Sequence, residues 1–368
     1  MFKKTMLVKP LNFEERQKKL LERIIVDDID LFIIPPSVDF LYTFNGAFQI
    51  SERLVCGILQ KEADPILIAP SFEKERMVKY TTFDDVVTWK EEENPYLVLK
   101  NAISSDVTKI AIEPTTPFEI YFKLKKQFPE AEFVDGGYLI RKMREIKDEA
   151  EVERMKISSE NTAKGILNSI EKLEEGLTEL EILKIAQKEM TKLSGEPSWA
   201  LVQIDENSAL PHGPPSTKKL KQNSVVLIDA GTTCEHYFAD ITVTTVFGKA
   251  TEEFLKVYEI VEQANEAALE KSKDGVPAEQ VDFAARDVIE NTGYGKYFTH
   301  RLGHGLGLEV HEDPYIVKGN KKPLITGNVH TDEPGIYIPG KFGVRIEDDI
   351  LVEKKSRRLV DFNRHIWK

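Results

Sequence analysis

Residues 225–247, VVLIDAGTTCEHYFADITVTTVF, decide the fold of the second part of the chain. Two runs rich in β-branched residues, VVLID (225–229) and YFADITVTTVF (237–247), flank a loop that contains a glycine, which is typical of a β-hairpin. Asp229 and Asp240 lie about symmetrically around that loop. We therefore predict that these two acids face each other across the hairpin, with Cβ atoms roughly 4.5–5.5 Å apart.

A second pair of runs, EPGIYI (333–338) and VRIEDDILV (344–352), repeats the arrangement around a Pro-Gly turn signal. Glu333 and Glu347 lie symmetrically around Gly340. Buried carboxylates at such distances repel each other, so one of each pair takes up a proton unless a cation neutralises it. Four acids in two hairpins therefore predict a cation site, and bridging carboxylates suit two metals roughly 3.5–4 Å apart.

His304 offers a fifth ligand. It lies in GHGLG (303–307), where the flanking glycines let the backbone approach a crowded centre. One imidazole among four carboxylates suits manganese, iron, cobalt or zinc better than copper, and it selects among those four poorly. The run is G-x-G-x-G and holds a histidine, so it does not match the G-x-G-x-x-G of a dinucleotide site.

Ordinary structural roles account for other polar residues near these runs. We interpret Asp348 and Asp349 as structural acids, and His236, His330 and His365 as surface or loop histidines. Each of the four hairpin acids, taken alone, would also fit a solvated turn residue. The metal-site prediction therefore depends on all four acids together.

Composition excludes several classes of partner. The chain has 50 Lys and Arg against 62 Asp and Glu, a formal charge of -12, which disfavours nucleic acid because phosphates would repel it. The N-terminal residues show no apolar signal-peptide region, and no apolar run approaches the roughly 20 residues of a membrane span. Cys56 and Cys234 are too few for a disulfide framework. We predict a cytoplasmic protein with neither a nucleic-acid nor a membrane partner.

Two domains are predicted, residues 1–143 and residues 144–368. The first alternates predicted helices with predicted strands, as an α/β domain does. Helical patterns span 12–25 and 118–127, and apolar strand-like runs span 30–34, 65–68 and 109–112. All seven histidines lie at position 212 or later, so the chemistry belongs to the second domain. The boundary is placed in residues 139–156, a charge-dense stretch that enters a long helical pattern without a Pro or Gly break.

Helix start and stop signals locate three helices in the second domain. Thr178 with Glu181 forms a capping-box pattern, and Gly195 is a stop signal. Thr251 opens another helix, and Pro277 is predicted as the first residue of a third. Helices interleaved with strand pairs indicate an α+β fold and not a doubly wound sheet.

Successive motifs of the second domain resemble those of the pita-bread metallopeptidases, in the branch that contains Xaa-Pro dipeptidase (prolidase) and aminopeptidase P. The motifs are LIDAG (227–231), ADITVTT (239–245), HRLGHGLGLEVHEDP (300–314), TDEPGIYIPG (331–340) and GVRIED (343–348). The resemblance is close from residue 144 onward. It implies a C-terminal pita-bread catalytic domain preceded by a smaller creatinase-type α/β domain.

The resemblance assigns a role to each of the five ligand candidates. Asp229 would hold the first metal and Asp240 would bridge both. His304 and Glu333 would hold the second metal, and Glu347 would be the other bridge. Two divalent ions per chain are implied, with manganese or cobalt favoured over zinc or iron, together with a homodimeric assembly and short proline-containing peptides as substrates.

Catalytic roles follow from the same resemblance. A metal-bridging hydroxide would attack the carbonyl of an Xaa-Pro bond, and Glu333 would carry the proton to the proline nitrogen. His212 and His311 would hydrogen-bond the carbonyl and the oxyanion that follows, His300 matches a further histidine near the metals, and Arg345 matches an arginine that places the substrate.

Some residues depart from the family pattern and leave alternatives open. Tyr315 stands where strict dipeptidases often place an arginine that holds the substrate carboxylate, so dipeptidase and aminopeptidase P both remain possible. Val243 stands where a basic residue is common. The other readings are a metal-free creatinase-like hydrolase, a non-catalytic pita-bread module that binds peptides or proteins, and a methionine aminopeptidase.

Overall fold

The structure is a computed structural model that describes residues 8–61, 63–103, 106–211 and 213–365. It divides into two compact units. One is Pro10–Arg144, and the other begins at Glu145 and also includes Lys9. Across these described ranges, no helix is long and apolar enough to cross a membrane.

The first unit is built on a mixed sheet that runs in the order β4-β3-β2-β1-β5-β6. Its strands are β1 Leu31–Ile34, β2 Cys56–Gln60, β3 Ala63–Pro70, β4 Val87–Trp89, β5 Lys109–Ile112 and β6 Glu132–Asp135, and its helices are α1 Phe13–Val26, α2 Val38–Phe44, α3 Lys74–Tyr80, α4 Pro95–Ala102, α5 Phe118–Gln127 and α6 Gly137–Arg144. The α/β class predicted for this region is confirmed, and β5 and α5 have the predicted bounds.

The second unit places helices outside curved antiparallel sheets. Its helices are α7 Glu149–Ile170, α8 Glu179–Ser194, α9 Glu252–Lys271 and α10 Ala278–Asn291. Its strands are β7 Trp199–Ile204, β8 Ser224–Gly231, β9 Thr233–Cys234, β10 Tyr237–Phe238, β11 Ile241–Phe247, β12 Gly303–Gly305, β13 Glu312–Ile316, β14 Val329–Asp332, β15 Gly335–Ile338, β16 Phe342–Arg345, β17 Asp348–Leu351 and β18 Arg357–Arg358. The sheets run β11-β8-β7, β13-β12-β14-β17-β18 and β15-β16, with a small β10-β9 pair.

Two apolar cores hold these layers together. One packs α7 and α8 against β7, β8 and β11, and the other packs α9 and α10 against β15 and β16. Each helix turns one apolar stripe toward a sheet, which is the amphipathic pattern of a helix on a half-buried surface. One cavity of this unit is lined by Leu201 and Asp229 from the β11-β8-β7 sheet and by His304 from the five-stranded sheet.

Helix boundaries follow the capping signals. Thr178 and Glu181 form a capping box at the start of α8, Gly195 ends that helix in the left-handed conformation with φ 77°, and Thr251 caps α9, all as predicted. The prediction for Pro277 was wrong by one residue. It is the N-cap, with ψ 136°, and α10 begins at Ala278.

The long helix predicted through residues 139–156 is wrong. The chain leaves α6 after Arg144 and begins α7 at Glu149. Asp148 caps α7 by accepting from the Glu151 backbone N–H, while the Glu151 side chain accepts from the Asp148 N–H. This reciprocal pair satisfies two otherwise unpaired N–H donors at the start of a helix. The D-x-x-E pattern of Asp148 and Glu151 therefore marked the start of a new helix, although no Pro or Gly separates it from α6.

The register of the first hairpin also differs from the prediction. Asp229 in β8 lies opposite Thr242 in β11, while Asp240 precedes β11. Symmetry around the loop failed because the chain forms the additional β9-β10 pair there, which changes the pairing of the flanking strands. Asp229 and Asp240 are therefore diagonal neighbours and not direct partners.

The second predicted hairpin is a ribbon, residues 329–351, that contributes to two sheets. Its outer strands pair with Asp332 opposite Asp348, and its inner strands pair with Gly335 opposite Arg345. Both registers place Glu333 and Glu347 at opposed positions, as the symmetry around the turn predicted. Each predicted strand is nevertheless two strands, because the ribbon leaves one sheet and enters another between them.

Candidate metal centre

Glu333 and Glu347 lie at the point where the ribbon passes between sheets. Their backbone N–H groups are not used within the ribbon, and they bind neighbouring elements instead. Glu333 N–H donates to the carbonyl of Leu302 over 2.9 Å, and Glu347 N–H donates to the carbonyl of Thr242 over 3.2 Å. The interruption in the ribbon therefore joins it to β11, which directly follows Asp240, and to the segment that leads into β12, which contains His304.

The five predicted ligands converge on one cavity of about 710 Å³. His304 Nε2 lies 3.5 Å from Glu333 Oε1 and 3.9 Å from Asp240 Oδ2. One ligand atom from each of Asp240, His304 and Glu347 falls within 4.8 Å of the others, and Asp229 lines the same cavity. The structure thus brings together acids from both hairpins, which the sequence pattern could only propose.

Electrostatics at this cluster favour a cation. Burial raises the pKa of Asp240 and Glu347 well above ordinary values, and nearby carboxylates raise both further. Burial also raises the pKa of Glu333 to about 8, and burial together with His311 lowers that of His304 to about 3. Neutral imidazole is the form that binds a metal, and crowded carboxylates regain their charge when a cation is present.

The donor atoms fit a metal. Asp229 Oδ1 and Asp240 Oδ1 are buried and have no hydrogen-bond partner in the described ranges of the chain. A buried carboxylate oxygen without a donor is costly, and coordination of an ion removes that cost. Glu347 Oε2 accepts a hydrogen bond from Thr242 Oγ1 over 2.5 Å, which fixes the orientation of this carboxylate.

Two further predicted histidines lie on the cavity wall. The His311 ring centroid is 4.1 Å from that of His304. His300 Nδ1 is 2.7 Å from the carbonyl of Arg301 and therefore carries the proton, so His300 Nε2 accepts from the Tyr337 hydroxyl over 2.8 Å. His212 lies outside the described residues.

Arg345 is held by hydrogen bonds on three sides. Its guanidinium donates to Asp229 Oδ2 over 2.5 Å, to Thr242 Oγ1 over 3.0 Å and to the Tyr337 hydroxyl over 3.1 Å. Because Tyr337 in turn donates to His300, a continuous path runs from the guanidinium to the imidazole. Arg345 and His300 therefore have fixed orientations at the cavity.

Sequence reasoning missed several residues of this cavity. Arg301 and Trp199 line it, and Tyr337 connects two predicted residues. The Arg301 guanidinium lies 4.6 Å from the centre of the Tyr315 ring, within range of a cation–π contact. Arg301 directly follows His300 and Tyr315 was already noted as unusual, but only the fold brings the two side chains together.

The residues interpreted as structural have varied environments. Asp349 accepts from Ser159 Oγ over 2.6 Å and from the Asp240 backbone N–H over 3.3 Å. Asp348 pairs with two arginines of the C-terminal segment. His365 is exposed beside Glu262, at 2.7 Å.

The interpretation of His330 as a surface or loop residue is wrong. His330 lies in β14 and is fully buried. Its Nδ1 is 2.7 Å from the carbonyl of Thr331 and its Nε2 is 2.8 Å from Ser272 Oγ. A histidine with both nitrogens satisfied is stable inside a core, and a single sequence does not show that partnership.

Comparison with known families is consistent with this site. The profile of metallopeptidase family M24 matches residues 153–354, and that of the creatinase/prolidase N-terminal domain matches residues 16–146. The chain is 35% identical to an Xaa-Pro dipeptidase of Pyrococcus horikoshii over 356 residues, which is 96% of this chain and 98% of that protein. It is 34% identical to an uncharacterized peptidase of Staphylococcus aureus over 92% of this chain and 96% of the relative.

Solved structures show the same similarity along the whole chain. A prolidase from Thermococcus sibiricus aligns with TM-score 0.90 and 36% identity, covering 98% of this chain and 100% of that one. An X-Pro aminopeptidase from Thermotoga maritima aligns with TM-score 0.83 and 31% identity, covering 96% and 99%. The predicted pita-bread domain with a creatinase-type N-terminal domain is confirmed.

Proposed function

The chain belongs to metallopeptidase family M24, and from that premise we propose that it hydrolyses Xaa-Pro bonds in short peptides with two divalent metal ions. One observation carries the proposal, the convergence of four carboxylates, two of them buried and two half-buried, and His304 on a single cavity. Relatives named Xaa-Pro dipeptidase and X-Pro aminopeptidase support the substrate class.

The metal set follows from the ligands. Asp229, Asp240 and Glu347 would serve the first ion, and Asp240, His304, Glu333 and Glu347 the second. An oxygen-rich set with one imidazole favours manganese or cobalt, with zinc or iron as alternatives. When bound, such ions polarise the scissile carbonyl and lower the pKa of the attacking water.

Glu333 is the proposed proton carrier. Its carboxylate is 15% exposed at the cavity, so it is open to the attacking water as well as to the metal site. Glu333 would take the proton of the attacking water and deliver it to the proline nitrogen. That nitrogen has no hydrogen before cleavage, so it needs a proton to leave.

The histidines and Arg345 are proposed to stabilise and place the substrate. His311 and His212 would donate to the carbonyl oxygen as negative charge develops on it, where one such donor contributes roughly 2.7–4 kcal/mol. His300, fixed by Tyr337, and Arg345, fixed by Asp229, would keep that geometry.

Arg301 supports a dipeptidase over an aminopeptidase P. The arginine often found at the position of Tyr315 is missing, but the Arg301 guanidinium lies against the Tyr315 ring and lines the cavity. It would bind the C-terminal carboxylate of a dipeptide. A longer peptide would place an uncharged amide there and lose that attraction.

Hydrolysis assays test the proposal. Chelated enzyme would be reconstituted in turn with manganese, cobalt and zinc, and offered Ala-Pro, Ala-Pro-Ala and Ala-Ala. Metal-dependent cleavage of Ala-Pro alone is the expected result, and Arg301→Met should raise KM for Ala-Pro while Arg357→Met, an exposed control, should not. Preferential cleavage of the tripeptide would favour an aminopeptidase P. No cleavage with metal bound would contradict the substrate class and favour a non-catalytic binding module.

Three further features belong to the same proposal. We propose residues 1–143 and 144–368 as the functional domains, a homodimer as the assembly, and the cytoplasm as the compartment. Cys56 and Cys234 are both free thiols, as expected in a reducing compartment. Burial raises the pKa of each, so neither is proposed as a reactive nucleophile. Sedimentation of the purified protein tests the assembly.

A further inference from the structure

An ion pair on α10 holds the segment of residues 298–302, which contains His300 and Arg301. Asp282 and Arg286 lie one helical turn apart, so their side chains share a face of the helix. Arg286 Nε donates to Asp282 Oδ2 over 2.9 Å, and Arg286 Nη2 donates to Asp282 Oδ1 over 2.8 Å. Asp282 has no exposed surface. Neither residue lines the cavity of the metal centre, and neither has a role in the chemistry proposed above.

The guanidinium of Arg286 also binds two backbone carbonyls of that segment. Its Nη1 donates to the carbonyl of Phe298 over 3.1 Å, and its Nη2 donates to the carbonyl of His300 over 3.0 Å. The central carbon of the guanidinium lies 4.2 Å from the centre of the Phe298 ring, within range of a cation–π contact. The segment lies between α10 and β12 and belongs to no helix or strand, so a side chain supplies the donors for these two carbonyls.

Asp282 holds the backbone on the other side of Arg301. The Leu302 N–H donates to Asp282 Oδ1 over 3.0 Å and is shared with the carbonyl of Ile316 over 3.1 Å. Because a peptide bond is planar, fixing one of its polar groups restricts the orientation of the whole plane. Arg286 thus holds the plane before Arg301, and Asp282 holds the plane after it. The Cα of Arg301 lies between these two planes, which sets the direction in which its side chain leaves the backbone.

The Arg301 side chain depends on this backbone for its position. It lines the cavity, and its guanidinium lies 4.6 Å from the centre of the Tyr315 ring. No carboxylate of the described residues forms an ion pair with it. A long side chain without a fixed partner loses conformational freedom when it binds an anion, and that loss weakens binding. A held backbone on one side and the Tyr315 ring on the other reduce the loss.

We propose that Asp282 and Arg286 are positioning residues for Arg301, an inference that rests on the proposed binding of a dipeptide's C-terminal carboxylate by that arginine. Neither residue touches the substrate. They hold the two peptide planes beside Arg301, so that its guanidinium meets the carboxylate with less loss of conformational freedom. The carboxylate is bound alike in the substrate complex and in the transition state, so the pair acts on KM and not on kcat.

The decisive experiment is a double-mutant cycle between Arg286→Lys and Arg301→Met, measured as KM and kcat of the metal-loaded enzyme with Ala-Pro. Lysine keeps a cation beside the buried Asp282, but an ammonium cannot bind both carbonyls and both carboxylate oxygens as the guanidinium does. We expect Arg286→Lys to raise KM about 10-fold while kcat stays within about 2-fold. In the Arg301→Met background the same substitution should raise KM less than about 2-fold, because the group it positions is gone.

Three outcomes would contradict the inference in different ways. Equal increases in KM in both backgrounds, or a fall in kcat in place of the increase in KM, would show that the pair does not act through Arg301. A raised KM in Arg301→Met with an unchanged KM in Arg286→Lys would overturn the positioning role alone and leave the proposed function standing. An unchanged KM in Arg301→Met would overturn the carboxylate role of Arg301 and this inference with it.

Arg154 in α7 is a matched control that separates positioning from general damage. Its guanidinium also donates twice to one carboxylate, that of Glu235, and it also donates to two backbone carbonyls, those of Lys9 and Ala150. Arg154 is buried but does not line the cavity. Arg154→Lys should therefore leave KM for Ala-Pro within about 2-fold of the wild-type value. Metal content measured for every variant excludes loss of the ions as the cause.

A second readout does not require activity. Amide hydrogen exchange of peptides covering residues 298–302 should accelerate in Arg286→Lys and remain unchanged in Arg154→Lys. Unchanged exchange in Arg286→Lys would overturn the positioning role. If the wild-type enzyme cleaves no Xaa-Pro peptide, the proposed function fails, while exchange still decides whether the ion pair holds the segment.

Discussion

Two clusters that share the ribbon of residues 329–351 neutralise their acids in opposite ways. The acid cluster at the cavity consists of Asp229, Asp240, His304, Glu333 and Glu347. The arginine cluster consists of Asp332 and Asp348, at neighbouring positions of the ribbon, and of Arg358 and Arg364 from the C-terminal segment. Each glutamate ligand of the ribbon is adjacent in sequence to one aspartate of the arginine cluster.

The difference lies in what neutralises the charge. Asp348 is ion-paired with Arg358 at 2.9 Å and also with Arg364, so the protein supplies its own cations there. Burial and the nearby Asp348 raise the pKa of Asp332 well above its ordinary value, and Arg358 and Arg364 oppose that rise. In the acid cluster, Arg345 is paired with Asp229, and further carboxylates crowd the same space. The comparison teaches that buried acids indicate a metal only where the chain does not balance them itself.

The largest effect is expected from Asp240→Asn. Losing the carboxylate that is proposed to serve both ions should lower kcat/KM by more than the roughly 100-fold typical of residues behind a ligand. Steady-state cleavage of Ala-Pro and metal analysis measure this. Asp287→Asn, at an exposed position of α10, is the control and should be silent. Full activity in Asp240→Asn would show that the acid cluster does not need this carboxylate to hold a metal, and the proposed difference between the two clusters would be wrong.

Asp348→Asn should act on stability instead. It leaves Arg358 and Arg364 without their shared carboxylate, and breaking a buried ion pair costs about 3–5 kcal/mol. Urea unfolding of the metal-free proteins measures the loss. Glu353→Gln breaks an exposed pair with Arg357, 3.4 Å apart, and should cost less than about 1 kcal/mol. Equal losses in the two variants would show that the arginine cluster is not a structural ion pair.

His330 adds a pH dependence beside the arginine cluster. Burial lowers its pKa to about 4, from 6.5, so between these values the folded state binds fewer protons than the unfolded state. The unfolding free energy therefore falls as pH falls through that window, by about 3 kcal/mol from this group. Denaturant unfolding at pH 7 and pH 4.5 should show a smaller loss in His330→Gln than in the wild type.

Ser272→Ala is the control for that experiment. It removes the hydroxyl beside His330 Nε2 but keeps the buried imidazole. Its pH dependence should match that of the wild type, although its stability is lower at every pH. If the unfolding free energy of His330→Gln fell with pH as steeply as that of the wild type, the acid sensitivity would belong to other groups.

Counted for each ion, metal removal should give the smallest of these effects on stability. An ion present at 100 times its Kd stabilises the folded state by about 2.7 kcal/mol. Chelation should therefore lower the Tm of the wild type and of Asp348→Asn by similar amounts. Asp240→Asn should lose much less, because less metal binds. Equal sensitivity to chelator in both variants would mean that the ion is not held by the acid cluster.

Much of the fold could be predicted from local patterns. The capping signals of Thr178 and Thr251 and the apolar run of β5 were enough to predict those helices and that strand, because such signals act over a few residues. The break before α7 was missed, although its signal, Asp148 with Glu151, was equally local. The register of Asp229 was missed for a different reason, since the β9-β10 pair that changes it depends on packing with other elements.

The candidate site divides in the same way. Residue types and motif order were enough to name the acids and His304, because a metal requires particular donor atoms. Sequence gave no access to the partners that orient them. Tyr337 between Arg345 and His300, and Arg301 against Tyr315, depend on contacts between segments that are separate in sequence.

The sequence by itself determined the α+β class, the family and the identity of the candidate ligands, because these depend on periodicity and on the chemistry of side chains in order. The tertiary structure alone decided which acids remain without a neutralising partner. Asp240 and Asp348 are both buried acids beside strands of the second unit. Only the position of Arg358 and Arg364 gives one of them two arginine partners and leaves the other as a candidate metal ligand, since Coulomb interactions depend on distance in space and not along the chain.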